Sequence, residues 1–522
     1  MKEFLLSKEE MKRYDQNTMD KHGISEECLI ERAACSVVNY VLEQFPKKQK
    51  SILVVCGNGN NGADGIATGR ILKEYDYMVD LLIPVDESDY SENVAHQVNI
   101  AKQYGITIKQ ELDNKEYDII IDSLFGIGLN RSIAGDYSSL IKKLNQKRGY
   151  KISVDIPSGI DCNTGKVLGT AFVADTTVTF GFYKRGQFLN DGSRHTGMLV
   201  KKNVGINNYC FYDNKPEMFM YLDDEDRADK IDLGRNPEGN KGTFGKVLII
   251  AGREDMSGAC ILAAKSALRS GCGMVSVITE EANRAILIAA LPEAIVHTYK
   301  EASDIEKIFT EANNWCDCIA VGSGIGTDDI ATELLKKCIF NSDKPLIIDA
   351  DAINILSRNK RLKVMLLDRQ GNDDTRRPII FTPHIKEFAR LSEKNIDDIV
   401  NNKTGVCQFF SKQFHSILVL KDSYTVVCEN DNIFINTVAN DALATAGSGD
   451  VLTGLAASFL SQYLKKDNIV EVPEAAKDTF PFYSAVMAVY IHSMAGQKAA
   501  EMNGRSYMIA SDVIEKYGEI LV

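Results

Sequence analysis

Apolar positions along the chain alternate between two periods. Between Glu26 and Phe45, Leu29, Ile30, Ala33, Ala34, Val37, Val38, Val41 and Leu42 recur at helical intervals and predict a helix with one buried face. Upstream, Ser7 and Glu10 have capping-box spacing and open a helical pattern that runs to about Lys21. From Ser51 onward, short apolar runs alternate with helix-period stretches. SILVVC, YMVDLLIP, YDIIIDSLFGIG, YKISVDIPSG and ADTTVTFG read as strands, and DGIATGRILKEY and SENVAHQVNIAKQYG as helices. Near-continuous apolar strands separated by helices predict an α/β fold with a parallel sheet covered on both faces.

The texture changes between Asn208 and Asn240, where YLDDEDRADKIDLGRNPEGNKG is charged, rich in Gly and Asn, and without a clean period. A domain boundary is expected near residue 225, giving domains over 1–220 and 225–522. A second series of apolar runs follows: GKVLIIAG, GMVSVIT, CIAVGSGIG, PLIIDADAINIL, RPIIFTPH, SILVLK, TVVC and NIFINT. DRQGNDDTRRP reads as an exposed loop, and the chain closes in a largely helical tail. The halves carry different glycine motifs and are not repeats.

The bulk numbers narrow the classes. A 522-residue chain with 44% hydrophobic and 25% charged residues is globular and long enough for two domains. Its net charge of −12 argues against a nucleic-acid backbone as partner, though small phosphorylated ligands need only local donors. No apolar run approaches the roughly 18 residues of a membrane span. The N-terminus turns charged too early for a signal peptide. Twelve cysteines without zinc spacing read as buried free thiols of a reducing cytoplasm.

In the first half, Gly57, Gly59 and Gly62 spell G-x-G-x-x-G between a strand and a helix, a geometry that brings backbone N–H groups to a phosphate. The acid that a dinucleotide fingerprint wants about 20 residues on is poorly placed, because Asp80 stands mid-strand. Two further strand ends carry Asp122 before Gly126 and Gly128, and Asp155 before Ser158 and Asp161. In a parallel sheet such ends converge on one crevice. Asn61, Asp122 and Ser158 offer hard oxygen ligands to a cation, and Asp155 is a candidate acid–base group. Each Asp taken singly could equally cap a helix.

GNGNNGADG, DSLFGIGL, VDIPSGID and FGFYKRG together resemble the motif series of NAD(P)H-hydrate epimerase domains, over roughly residues 1–215. The resemblance implies a Rossmann-like domain. It implies that Asn60, Asn61, Gly62, Ala63 and Asp64, with Gly126, Ile127, Gly128, Leu129, Asn130, Arg131 and Ser132, bind the damaged dinucleotide. It further implies potassium on Asn61, Asp122 and Ser158, and Asp155 at the hydrated ring with Lys184 nearby. Ala63 stands where the family usually has glycine.

In the second half, NDALATAGSGDVLTGLAASFL sets Gly447, Ser448 and Gly449 before Asp450, which opens an apolar helix. Amides at that turn, with the helix dipole, make an anion hole beside a carboxylate. That pairing suits deprotonation of a hydroxyl attacking a phosphoryl group. Lys421 on a strand end, His384 between Thr382–Pro383 and a helix start, and the acids Asp349 and Asp351 accompany it. With GSGIG, these motifs resemble the ribokinase-like ADP-dependent NAD(P)H-hydrate dehydratase domain over about residues 230–520. The resemblance implies Ala263, Gly326 and His384 at the hydrate, Lys421, Asp422, Ser423, Tyr424, Thr425 and Gly449 at the nucleotide, and Asp450 acting on the substrate hydroxyl. Lys421-Asp422 replaces the family's usual Lys-Gly.

The expectation is therefore a bifunctional enzyme, isomerase and lyase, acting on NADHX and NADPHX. One half epimerises the hydrates, and the other dehydrates the S form with ADP, assisted by Mg2+ near the acidic pair. A homo-oligomer is expected. The rival readings are a vitamin-precursor or sugar kinase, and an N-terminal half that binds dinucleotide without catalysis.

Overall fold

A computed structural model describes residues 2–46, 50–212, 214–221, 238–369, 377–438, 440–465 and 479–521. The boundary expected near residue 225 and most of the loop expected over 368–378 lie outside these residues. Two compact units form, one over Glu3–Phe219 and another chiefly over Met220–Val522.

In the first unit, seven strands run parallel in the order Thr107–Lys109, Met78–Leu82, Ser51–Cys56, Ile119–Ser123, Tyr150–Val154, Thr176–Phe180, Met198–Lys202. Thr107–Lys109 and Met198–Lys202 were not expected. Both are edge strands with little full burial, so neither shows the apolar run that marks the inner strands. The order reverses between Ser51–Cys56 and Ile119–Ser123, so a crevice opens beyond the C-terminal ends of these two strands.

Strand alternation sends Ile52, Val54 and Cys56 to one face, against helices Glu26–Gln44 and Asn60–Glu74, which contribute Val37, Val41, Ile66 and Ala67. Leu53 and Val55 face the other way, toward Ile141 and Leu144 of helix Gly135–Gln146. Each such fully buried Val, Leu or Ile contributes about 2 kcal/mol. The Ser7–Glu10 capping box forms at the start of helix Lys8–Asp20.

Within the second unit, nine strands follow the order Ile295–Tyr299, Met274–Glu280, Lys246–Ile250, Cys318–Val321, Leu346–Ile348, Ile379–Phe381, Ile417–Leu420, Val426–Glu429, Asn432–Ile435. The first seven are parallel and the last two antiparallel. Helices Ser257–Arg269 and Ser448–Lys465 cross closely, because a Cβ at Gly454 would stand 2.0 Å from Ala263 O. Strand Met218–Tyr221 corrects the reading of 208–240 as irregular, since its apolar MFMY was masked by charged neighbours.

All twelve cysteines are free thiols, and ten are buried, but Cys28 and Cys35 are exposed on helix Glu26–Gln44. Their places between inward positions of the helical period account for the difference. No helix among the described residues is long and apolar enough to cross a membrane.

Candidate active sites

Strand Ser51–Cys56 ends in a turn that brings Gly57 against the neighbouring strand end, where a Cβ would stand 1.8 Å from Leu124 O. Helix Asn60–Glu74 then begins at Gly59 with no side-chain cap and no acid in its first turn, leaving its amides for an anion. The helix starts four residues earlier than expected, so Asn60 and Asn61 of GNGNNG belong to it while Asn58 precedes it. Ala63 lies inside this helix and is fully buried; its conformation is ordinary for any side chain, so the departure from glycine carries no strain.

A cavity of about 780 Å3 lies at the crevice, lined by Asn60, Asn61, Asp64, Gly126, Ile127, Gly128, Leu129, Asn130, Arg131 and Asp155. Gly62 and Ala63 are buried in the first turn behind it, and Ser132 is exposed. Asn61 Nδ2 is buried with no hydrogen-bond partner. An orphaned donor in a cavity wall is what a ligand would satisfy.

Asp155 sits in the left-handed region at φ 66°, a strained conformation for a residue with a side chain. Its N–H donates to Val178 O at 2.8 Å, and Gln187 Nε2 donates to its carbonyl at 2.8 Å, which hold it there. Its carboxylate accepts from Lys184 Nζ, Phe180 N (3.2 Å) and Thr179 Oγ1 (3.3 Å). Lys184 is fully buried and also donates to Thr179 Oγ1 at 2.8 Å and Phe180 O at 3.0 Å. The buried Lys184 side chain thus fixes the carboxylate's position.

Three further acids, Asp15, Glu26 and Asp64, line the same cavity. Burial pushes the Asp64 carboxyl well above its usual range, with Asp155, Asp15 and Glu26 adding to the rise. Burial also lifts Asp15 to about 7, Lys184 opposing and Asp155 adding. Asp15 was missed in the sequence, although a carboxyl four residues from both Met11 and Met19 on a half-buried helix was a signal.

Asp122 is fully buried at its strand end. Ser158 Oγ donates to its Oδ1 at 2.6 Å, and Ser153 Oγ (2.6 Å) and Ser158 N (2.8 Å) donate to its Oδ2. Burial raises its proton affinity against these donors. Asn61 lies close by, since a Cβ at Gly126 would stand 3.1 Å from its Cγ, and Gly126 follows Phe125, whose carbonyl faces Ser158 Oγ at 3.3 Å.

The second site gathers around Asp349, itself almost fully buried. Thr382 Oγ1 (2.8 Å) and Lys421 Nζ (2.9 Å) donate to its Oδ1, and Thr453 Oγ1 to its Oδ2 at 2.8 Å. One carboxylate therefore ties three strand ends to helix Ser448–Lys465. Asp450 lies in that helix's first turn. Burial raises its carboxyl to about 6, with Asp349 adding and Lys421 opposing. A Cβ at Gly449 would stand 3.3 Å from Lys421 Nζ, so the cation reaches the glycine turn.

In the GSGIG loop, Gly322 has φ 134° and packs on Asp349, where a Cβ would stand 1.9 Å from its carbonyl oxygen. Asp351 Oδ2 accepts from Gly326 N at 2.9 Å, which orders the same loop.

A match to the NAD(P)H-hydrate dehydratase family spans residues 247–518. The chain belongs to that family. Residues 26–186 match the family described as YjeF-related protein N-terminus. The chain is 29% identical over 514 residues to the bifunctional NAD(P)H-hydrate repair enzyme Nnr of Thermofilum pendens, covering 95% of this chain and 92% of that one. It is 27% identical over 538 residues to the enzyme of the same name from Moorella thermoacetica, covering 98% and 95%. A solved ribokinase-like superfamily protein from Enterococcus faecalis is 27% identical, with a TM-score of 0.47, covering 58% of this chain and 95% of that one.

Other residues singled out from the family's motifs fall as follows. His384 caps helix Ile385–Ser392, its Nδ1 accepting from Lys386 N (3.1 Å) and Glu387 N (3.3 Å). Burial lowers the ring's proton affinity, and because Nδ1 accepts, the proton of the neutral ring belongs on Nε2. A β-bridge to Lys421 places His384 beside the cation. Ala263 is fully buried under Gly454. Lys421 to Thr425 form the turn between strands Ile417–Leu420 and Val426–Glu429, closed by Thr425 Oγ1 donating to Asp422 O at 3.0 Å, with Ser423 exposed and Tyr424 half-buried. Asp422 pairs with the ammonium of the nearly buried Lys403, which accounts for an acid where the family has glycine.

Proposed function

We infer that this chain repairs hydrated NADH and NADPH, its N-terminal unit interconverting the two epimers and its C-terminal unit dehydrating the S form at the cost of ADP. The observation that carries the reading is Asp450, a carboxyl raised to about 6 at an open glycine turn that Lys421 Nζ also reaches.

Hydroxide leaves carbon poorly, so the hydroxyl must first be made a better leaving group. Asp450 as carboxylate takes the hydroxyl proton while the oxygen attacks the terminal phosphorus of ADP, and the phosphoanhydride bond breaks with its electron pair leaving on AMP. The amides of Gly447 and Gly449 and the Lys421 ammonium receive the charge that builds on the phosphoryl oxygens, the Ser448 amide being taken by Thr445 O. Phosphate then departs with the C–O electron pair, the neighbouring carbon loses a proton, and the nicotinamide double bond returns.

Mg2+, when bound, supplies charge neutralisation on the phosphates. Both Asp349 oxygens already accept protein hydrogen bonds, and Asp351 holds Gly326, so the acidic pair fits a water-mediated rather than a direct ligand role. Among the described residues no cluster of three His, Cys, Asp or Glu forms a metal cage. For potassium, the candidate oxygens are those of Asn61, Ser158, the Phe125 carbonyl and Asp122; both Asp122 oxygens also accept protein hydrogen bonds, so its single carboxylate would serve a monovalent cation mainly as charge beside the neutral oxygens. Potassium would supply positive charge beside the dinucleotide phosphates.

The N-terminal unit is catalytic in this reading because Asp155, held from behind by buried Lys184, and the orphaned Asn61 amide line one cavity. The test is incubation of mixed hydrate epimers with ADP or ATP. Full return of reduced-nicotinamide absorbance with release of free phosphate supports repair. A stable phosphorylated product indicates a small-molecule kinase instead, and a halt after the S epimer indicates an N-terminal unit that only binds.

A further inference from the structure

We propose that Asp15 is a catalytic acid of the N-terminal cavity, giving its proton to the hydroxyl that leaves the hydrated ring during epimerisation. This rests on the epimerase reading above and supplies the second proton-carrying group beside Asp155.

Helix Lys8–Asp20 forms one wall of the cavity, with Met11, Asp15 and Met19 spaced one turn apart on it. Asp15 Oδ1 is buried and has no hydrogen-bond partner in the protein. Asp155, which lines the same cavity, accepts three donors on Oδ1, from Lys184, Thr179 and Phe180 N. Four carboxyls, those of Asp15, Glu26, Asp64 and Asp155, line this cavity. The buried cation that faces them is Lys184, and its donors are spent on Asp155, Thr179 and Phe180 O. The cations that line the cavity itself, Lys12 and Arg131, are both exposed. Like charges so placed do not all ionise, and the proton stays where no donor stabilises the anion. Two carboxyls answer to this, Asp64 and Asp15; Asp64 is raised well above its usual range and holds its proton too tightly to give it up, whereas Asp15, whose orphaned oxygen lies in the cavity wall, is lifted only to about 7 and can both give and regain a proton near neutral pH.

The substrate's chemistry asks for such a group. Hydration of an enamine puts the hydroxyl on the carbon bound to the ring nitrogen. Asp15 protonates that hydroxyl; the C–O bond breaks and its electron pair leaves with water, while the nitrogen lone pair forms a C=N bond. The carbon is now planar. Water re-adds to either face, returning a proton to Asp15 on one side or to Asp155 on the other. The pair's proton count is unchanged, and only the configuration has altered.

The test uses the full chain carrying Asp15→Asn, one purified epimer and no nucleotide, with the second epimer followed by chromatography across neutral pH. Asn matches the shape of the protonated acid but cannot transfer its proton. We expect kcat to fall about a hundredfold or more with KM little changed. The wild-type rate should decline on the alkaline side, that decline should vanish in Asp15→Asn, and Asp15→Glu should restore part of the rate. An Asp15→Asn variant that retains wild-type kcat, or that keeps the alkaline decline, overturns the proposal. So does equal loss in the Asn and Glu variants with a lowered melting temperature, which would mark Asp15 as structural. A wild-type chain that does not epimerise at all sinks the epimerase reading itself, which is distinct from an active wild type with an indifferent Asp15.

Discussion

Lys421 Nζ donates to Asp349 Oδ1 at 2.9 Å while standing beside Gly449 of the glycine turn. The ammonium therefore has two tasks. It neutralises a carboxylate that is almost entirely buried, and it projects positive charge to the place where an anion would sit. Replacing it with Met should cost about 3 kcal/mol of stability, because Asp349 is left as a buried charge held by two hydroxyls. Nucleotide affinity should fall in the same variant. Denaturant melts and nucleotide titration would check both, and unchanged nucleotide affinity would remove Lys421 from the anion site.

Asp450→Asn should reduce dehydration of the S hydrate by about a thousandfold, while epimerisation continues. The two rates are read from one sample, by absorbance with ADP and by chromatography without it. Loss of both would mean the two activities are not separable.

Dehydration needs Asp450 as the anion, and burial lifts its carboxyl to about 6. A base is active above its pKa and inactive below. The dehydration rate should thus be level above that value and fall about tenfold per pH unit beneath it. A level rate well below pH 6 would contradict Asp450 as the base.

Asp422→Gly restores the residue usual in the family but strips the ion-pair partner from Lys403, whose side chain is 5% exposed. The variant should lose about 2 kcal/mol, less than a fully buried pair because Asp422 is partly exposed. ADP use should persist. A more stable variant would show that the pair is not what retains the acid.

Exchanging potassium for a bulky organic cation should weaken hydrate binding to the N-terminal unit, and Asp122→Asn should abolish that dependence. Calorimetric titration in the two salts distinguishes a specific cation from ionic strength. An identical response in Asp122→Asn would place the ion elsewhere.

The strands of both central sheets were legible because a strand buried on two faces must be apolar throughout, as in Ser51–Cys56 and Lys246–Ile250. Thr107–Lys109, Tyr183–Lys184 and Ile295–Tyr299 escaped notice: the first and last are edge strands without a continuous buried run, and the second is only two residues long. His384 was legible as a residue at a helix start, yet its ring nitrogen serves the helix amides, a role that local sequence does not separate from catalysis.

By itself, the sequence determined the alternation of strands and helices, the two glycine turns and the carboxylates Asp122, Asp155 and Asp450 at their strand and helix ends. These are local properties, set by periodicity and by which residues tolerate a tight turn. Tertiary structure alone decided that Asp15 faces Asp155 from a distant helix, that Lys403 answers Asp422, and that Asp349 joins Thr382, Lys421 and Thr453. The reason is physical. Burial and charge act through space, so the partner of a buried carboxyl depends on which segments the fold packs together, and sequence spacing carries no record of it.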